Sequence, residues 1–132
     1  MKKKSEAMVL RRLAYGDADW IVSFFTRDSG RMSGIAKFAR SSIKRFGAAL
    51  EPGSLVEICY SEKIGRDLVV VDNAVILRPI NGIMRSLSRL QCMGFVLNLA
   101  YAFLPEKLVS PDKFLVLNNF LTQNKYMDDF KE

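Results

Sequence analysis

WIVSFFTRDSGRMSGIAKFAR, residues 20–40, is the stretch whose reading decides the fold. Trp20, Ile21, Val22, Phe24, Phe25 and Thr26 are aromatic or β-branched, the types that fit a pleated, half-buried surface. Asp28-Ser29-Gly30 closes the run as a hairpin-type turn, because glycine supplies the positive φ at no steric cost. Arg31–Arg40 then reads as the next strand, with Gly34 inside it. An interior glycine often marks a bulge or sharp bend where a sheet coils.

On the N-terminal side, Ala7–Tyr15 is a mixed run ending at the turn signal Gly16-Asp17. On the C-terminal side, Ser41–Leu50 loses the alternation and can hold one short helical turn before Pro52-Gly53 stops it. Ser54–Ser61 alternates in part, Ile64-Gly65-Arg66 is a turn, and Asp67–Leu77 is a long strand around Val69-Val70-Val71. Five strands with turns roughly ten residues apart, and a helical insertion after the third, predict a small antiparallel barrel. The OB-fold has this strand count and this insertion point.

After Pro79 the period changes. Ile83, Leu87, Leu90, Gly94, Leu97, Tyr101 and Leu104 recur at steps of three and four, which predicts a helix burying one face. Ser110-Pro111-Asp112 is a start signal, an N-cap followed by proline at the first helical position, and Phe114, Leu117 and Leu121 form the next apolar stripe. The expected architecture is a five-stranded OB-fold over residues 1–79 followed by a helical hairpin in 80–132.

The chain has 132 residues, 49% of them apolar, enough for one compact core or a small domain with a helical extension. Its formal charge of +6 is unevenly spread: residues 1–50 hold 11 Lys and Arg against 4 acids, while residues 51–132 hold 9 against 10. Basic charge gathered at the front of a chain suits a polyanion, either nucleic acid or an anionic membrane surface. Absence of histidine removes the commonest general base and every triad built on imidazole. Cys59 and Cys92 sit in apolar runs, where buried free thiols usually lie, rather than in a disulfide or metal pair. No secretory signal is visible, and the longest apolar run, Cys92–Leu104, holds thirteen residues and Asn98, too few to span a bilayer. A cytoplasmic protein is expected.

Ser41 and Ser42 lie beside cations, but neither has an adjacent base or a nucleophile elbow. Asp17, Asp19 and Asp28 sit in turns, and turn formation explains them better than a metal cluster. No phosphate-cradling glycine spacing is present. These absences predict a protein that is not an enzyme and carries no cofactor.

The basic stretch is the stronger lead. Arg31, Lys37, Arg40, Lys44 and Arg45 fall within fifteen positions, with no acid from Gly30 through Leu50. A run of cations is often only a solvated face. Here it coincides with the end of the third strand and the loop after it, and OB barrels bind strands across the second and third strands and neighbouring loops. Phe38 and Phe46 are interleaved with the cations, and an exposed aromatic beside a cation can stack a base. Both could equally be core, the favoured expectation for Phe38, inside a strand. Arg11 and Arg12 are adjacent and so point to opposite faces. The Lys2–Lys4 tail is expected to be a mobile, solubilising terminus that can add nonspecific attraction to phosphates.

The run from Val9 to Ile58 resembles the N-terminal OB domain of the recombination-mediator family RecO. The likeness rests on an opening strand ending in Tyr15-Gly16-Asp17, a second strand closed by FTRDSG (residues 25–30), GIAK (34–37) leading into a basic loop with RFG (45–47), and Leu50-Glu51-Pro52 before the fourth strand. LQCMGFVLNLAYAFLPEKL, residues 90–108, is similar to the family's helical segment. The resemblance implies binding of single- and double-stranded DNA, annealing of complementary strands, and displacement of single-strand-binding protein so that recombinase loads, in concert with RecR and sometimes RecF. It implies Lys37, Arg40 and Lys44, with neighbouring cations, as the DNA contacts. Family members are nearly twice this length, which implies that the rest of the helical domain is missing, by truncation or in a reduced natural form. Some hold zinc through four cysteines in that later region, which this chain cannot do. Phe38 stands where the family pattern has a small residue.

DNA repair by a recombination mediator at the bacterial nucleoid is therefore the expected function. A protein-docking module, with a groove between the helices taking the tail of single-strand-binding protein or RecR and DNA contact secondary, is the alternative. Attachment to a membrane surface through Lys2–Lys4 ranks below both.

Overall fold

The computed structural model describes residues 2–42, 45–78 and 87–123. These form β1 (Lys2–Tyr15), β2 (Asp19–Thr26), β3 (Gly30–Ala36), β4 (Leu55–Ser61), β5 (Val69–Arg78), α1 (Leu87–Phe103) and α2 (Pro111–Gln123). The strands close in the order β1-β2-β3-β5-β4, and β4 returns to pair with the first half of β1. All pairings are antiparallel except the β3–β5 seam, which rests on Gly34↔Val69 and Ile35↔Val70. This is the five-stranded OB-fold followed by two helices that the strand count predicts.

Strand periodicity divides the apolar residues between two cores. Ala7 and Val9 of β1, Val22 and Phe24 of β2, Met32 and Ala36 of β3, and Val56, Ile58 and Tyr60 of β4 fill the barrel. Phe46, Ala49 and Leu50 join them from the segment between β3 and β4. The described residues of that segment form a series of turns, with one helix-like bond from Phe46 N to Ser42 O (3.4 Å). The intervening residues Met8 and Leu10, with Phe25, face outward and meet Met93 and Leu97 of α1 and Phe114, Leu117 and Leu121 of α2. The helices thus cap one outer face of the barrel. Ser110 O accepts from Phe114 N (3.1 Å), and α2 starts at Pro111 as the start signal predicts.

Several expectations change. The Lys2–Lys4 tail is strand, not a loose terminus: these residues pair with Ser61, Tyr60 and Cys59. Lys3 donates to Glu62 Oε1 (3.0 Å), a bond that raises the lysine's pKa above its ordinary value. β3 stops at Ala36 rather than Arg40. Gly34 marks no bulge, since the β2–β3 register runs straight through it. It is needed for closure: a Cβ there would lie 2.7 Å from Val69 Cγ2 and 3.0 Å from Val69 O. In α1 the expected stripe largely faces the barrel, with Leu97 buried and Leu90, Tyr101 and Leu104 packed beside it, but Leu87 at its start is exposed and Met93, outside the stripe, is buried. Ile83 lies outside the described residues. Both cysteines are free, but neither is buried: Cys59 is half-buried on the outer side of β4 and Cys92 is exposed. Among the described residues no helix is long and apolar enough to cross a membrane.

Arg78 Nη1 donates to Asn118 Oδ1, tying the end of β5 to α2, and burial pushes the guanidinium's pKa down. The segment after α1 returns over the β2–β3 turn. Gly30, at φ 79°, lets it approach so closely that a Cβ would fall 2.5 Å from Leu108 O.

Candidate nucleic-acid interface

The first residues of the loop after β3 are held against the start of β2. Phe38 N donates to Asp19 Oδ1 (2.8 Å), and Arg40 N donates to Ala18 O (3.0 Å), so the β1–β2 turn anchors the loop. Ser41 closes it locally, its N and Oγ both donating to Phe38 O (3.1 and 3.2 Å). Asp19 is therefore a turn residue, as its position predicts, and also the acceptor that shapes the basic loop.

The arginines of the loop are oriented by carbonyls. Arg40 Nη2 donates to Gly16 O (3.3 Å) and Asp17 O, and its guanidinium lies 5.7 Å from the Trp20 ring centre. Arg12 also covers that ring, at 4.5 Å, and pairs with Glu51. Arg45 donates to Asp72 O through Nε and Nη2 (3.2 and 3.1 Å) and to Lys37 O through Nη1 (3.0 Å). Carbonyls orient a cation without cancelling its charge. Ion pairs among the described residues are Lys3–Glu62, Arg12–Glu51, Arg27–Glu6 and Arg31–Glu106, and none engages Lys37, Arg40 or Arg45.

Lys37, Arg40 and Arg45 are exposed and belong to one network running from the β1–β2 turn to β5. Lys44 lies outside the described residues. Arg31 is not part of this group. Its side chain is only 15% exposed, donates from Nε to Leu104 O (2.7 Å), lies over the Tyr101 ring at 5.1 Å and faces Glu106. It fastens the end of α1 to the barrel because β3's alternation sends it outward, under the helices. Arg11 and Arg12 do diverge, toward Tyr101 and Trp20 respectively.

The two phenylalanines are placed unequally. Phe46 is 3% exposed and part of the barrel core, whereas Phe38 is 62% exposed, against the expectation that a strand would bury it. The strand ends at Ala36, and Phe38 itself has φ 60°. Lys63 and Arg66, in the loop between β4 and β5, are further exposed cations that the charge count overlooks because Glu62 and Asp67 flank them. Loops β1–β2 and β4–β5 are those that OB barrels bring to their ligands. Among the described residues no cluster of three or more metal-ligating side chains occurs.

A second feature is an apolar groove of 570 Å³ between the helices, lined by Phe25, Val96, Ala100, Phe103, Leu117 and Phe120. Phe103 and Val116 on its walls are 76% and 68% exposed.

A closed five-stranded barrel with a basic loop after its third strand and a helical pair on its outer face defines an OB-fold protein of the kind with an appended helical region. The first 80 residues match the family model described as Recombination protein O N terminal, and the chain belongs to that RecO family. DNA repair protein RecO of Syntrophotalea carbinolica is 37% identical over 118 residues, covering 89% of this chain and 46% of that protein. The protein of the same description from Syntrophobacter fumaroxidans is 35% identical over 120 residues, covering 91% and 47%. That from an Anaeromyxobacter species is 38% identical over 97 residues, covering 74% and 38%. The chain thus spans less than half the length of these curated relatives.

Proposed function

We propose that this barrel binds DNA without sequence preference through the loop after β3, as part of a recombination mediator in DNA repair. The observation that carries the proposal is the group Lys37, Arg40 and Arg45, exposed together and, among the described residues, paired with no carboxylate. Lys44 adds a fourth cation to the same loop by sequence. Several cations following a phosphate chain release condensed counterions, which makes affinity fall steeply with salt and leaves base identity unread. Family membership supports the fuller role: binding single and double strands, annealing complements and helping recombinase load, with RecR and single-strand-binding protein as partners, on the nucleoid in the cytoplasm. Such a role needs no turnover of substrate.

Lys37 provides the cleanest test, since Arg40 and Arg45 also brace the loop through their carbonyl bonds. Fluorescence anisotropy of a labelled oligonucleotide over a salt series gives the slope of log affinity against log salt. Lys37→Glu is expected to weaken binding and reduce that slope by about one to two, with an unchanged thermal melt. Binding that ignores salt, or ignores Lys37→Glu, removes the proposal.

The groove between the helices favours a second reading, a docking module for an apolar peptide, with charge only steering association. An acidic, phenylalanine-terminated peptide titrated at two salt concentrations separates the two. Peptide binding without oligonucleotide binding selects the docking module.

A further inference from the structure

Phe38 occupies a position that folding alone does not favour. Its φ of 60° lies in the left-handed region, which bulky side chains rarely adopt and glycine adopts freely. Burial does not compensate, for 62% of the residue is exposed. Among the described residues its ring makes no aromatic pair and receives no cation, although guanidinium groups lie over the nearby rings of Trp20 and Phe46. The backbone is nevertheless pinned: Phe38 N is held by Asp19, and Phe38 O accepts two bonds from Ser41. A strained residue held in place by its surroundings, displaying an aromatic face to water, is a pattern met at ligand contacts.

We infer that Phe38 is a stacking platform for an unpaired nucleobase and gives the basic loop a preference for single-stranded over duplex DNA. The inference rests on the reading that this loop binds DNA. Lys37 and Arg40 flank the ring within two positions, so a strand whose phosphates meet these cations carries its bases past the aromatic face. Every base offers a π face, and stacking on an aromatic therefore selects for accessibility rather than sequence. In a duplex the bases are already stacked and paired, and the ring has nothing to receive. The hydrogen-bonded backbone fixes the point from which the side chain leaves the loop before binding, which lowers the backbone's share of the ordering cost on association.

The test compares Phe38→Gly and Phe38→Trp with the unaltered chain, using a short oligothymidine and a duplex of the same length, together with thermal melts. Phe38→Gly is expected to lower single-strand affinity about tenfold and leave duplex affinity and the salt slope unchanged. Its melting temperature is not lowered, because glycine accepts the backbone geometry and little burial is lost. Phe38→Trp retains or strengthens single-strand binding. Equal loss for both DNA forms, no loss for either, or a melt lowered as by removal of a core aromatic overturns the inference. If the loop's role itself is wrong, the unaltered chain binds neither form in a manner that depends on salt and Lys37. If only the stacking is wrong, that dependence persists while Phe38→Gly changes nothing.

Discussion

Closing the barrel depends on one contact without a side chain, and Gly34→Ala tests it. The β3–β5 seam rests on only two residue pairs, Gly34↔Val69 and Ile35↔Val70. An added methyl would sit 2.7 Å from Val69 Cγ2, 2.9 Å from Val71 Cγ2 and 3.0 Å from Val69 O. Both valines are buried in the interior and stiff at χ1, and the carbonyl belongs to the backbone, so the methyl displaces the strand itself. Overpacking of this kind costs about 1–3 kcal/mol. Against it stands a gain of about 0.4–1 kcal/mol, because alanine restricts the unfolded chain more than glycine does. The net destabilisation is about 1–2 kcal/mol, a fall in Tm of roughly 3–8 °C for a chain of this size. Circular dichroism melts read it directly, and Gly94→Ala serves as the control. Gly94 lies within α1, where an added Cβ would meet nothing within 4 Å, and alanine there is expected to add about 1 kcal/mol and raise Tm. A rise in Tm for Gly34→Ala as well would mean that β3 and β5 do not approach this closely.

Phe46→Ala removes a ring that is 3% exposed in the barrel core and is expected to cost about 3–5 kcal/mol, measured by denaturant titration. Arg45 lies over this ring at 4.7 Å, so at low temperature the fraction that remains folded should lose no more DNA affinity than Arg45→Ala does, and a larger loss would return Phe46 to the interface. Arg31→Ala deletes the bond to Leu104 O and is expected to cost about 2 kcal/mol, with faster amide exchange over residues 104–110 and an unaltered salt slope for DNA. A reduced slope would show that Arg31 contacts phosphate after all.

Much of the fold was legible because it is written locally. The aromatic and β-branched run of residues 20–26, the Asp28-Ser29-Gly30 turn and the Ser110-Pro111 helix start each act within a few positions, and all three stand where the pattern places them. Elements that depend on distant partners were harder. Lys2–Lys4 becomes strand only because residues 59–61 pair with it, a partner more than fifty positions away. The stripe of Leu90, Leu97, Tyr101 and Leu104 marks most of the buried face of α1, but on a helix that is apolar all round the place of Met93 beside it is chosen by the outward residues Met8, Leu10 and Phe25.

For the candidate site, the sequence alone determined the sign of the charge, its position after the third strand, and the family whose pattern it follows. Tertiary structure decided which cations face water. Arg31 and Lys37 stand six positions apart in one basic stretch, yet Arg31 is drawn under α1 and Lys37 is left exposed. It also reversed the expected placing of Phe38 by ending β3 two residues before it. The physical reason is common to both. Charge and residue type are properties of the chain, whereas exposure depends on where a strand ends and on what packs over it, and both are set by contacts with residues remote in sequence.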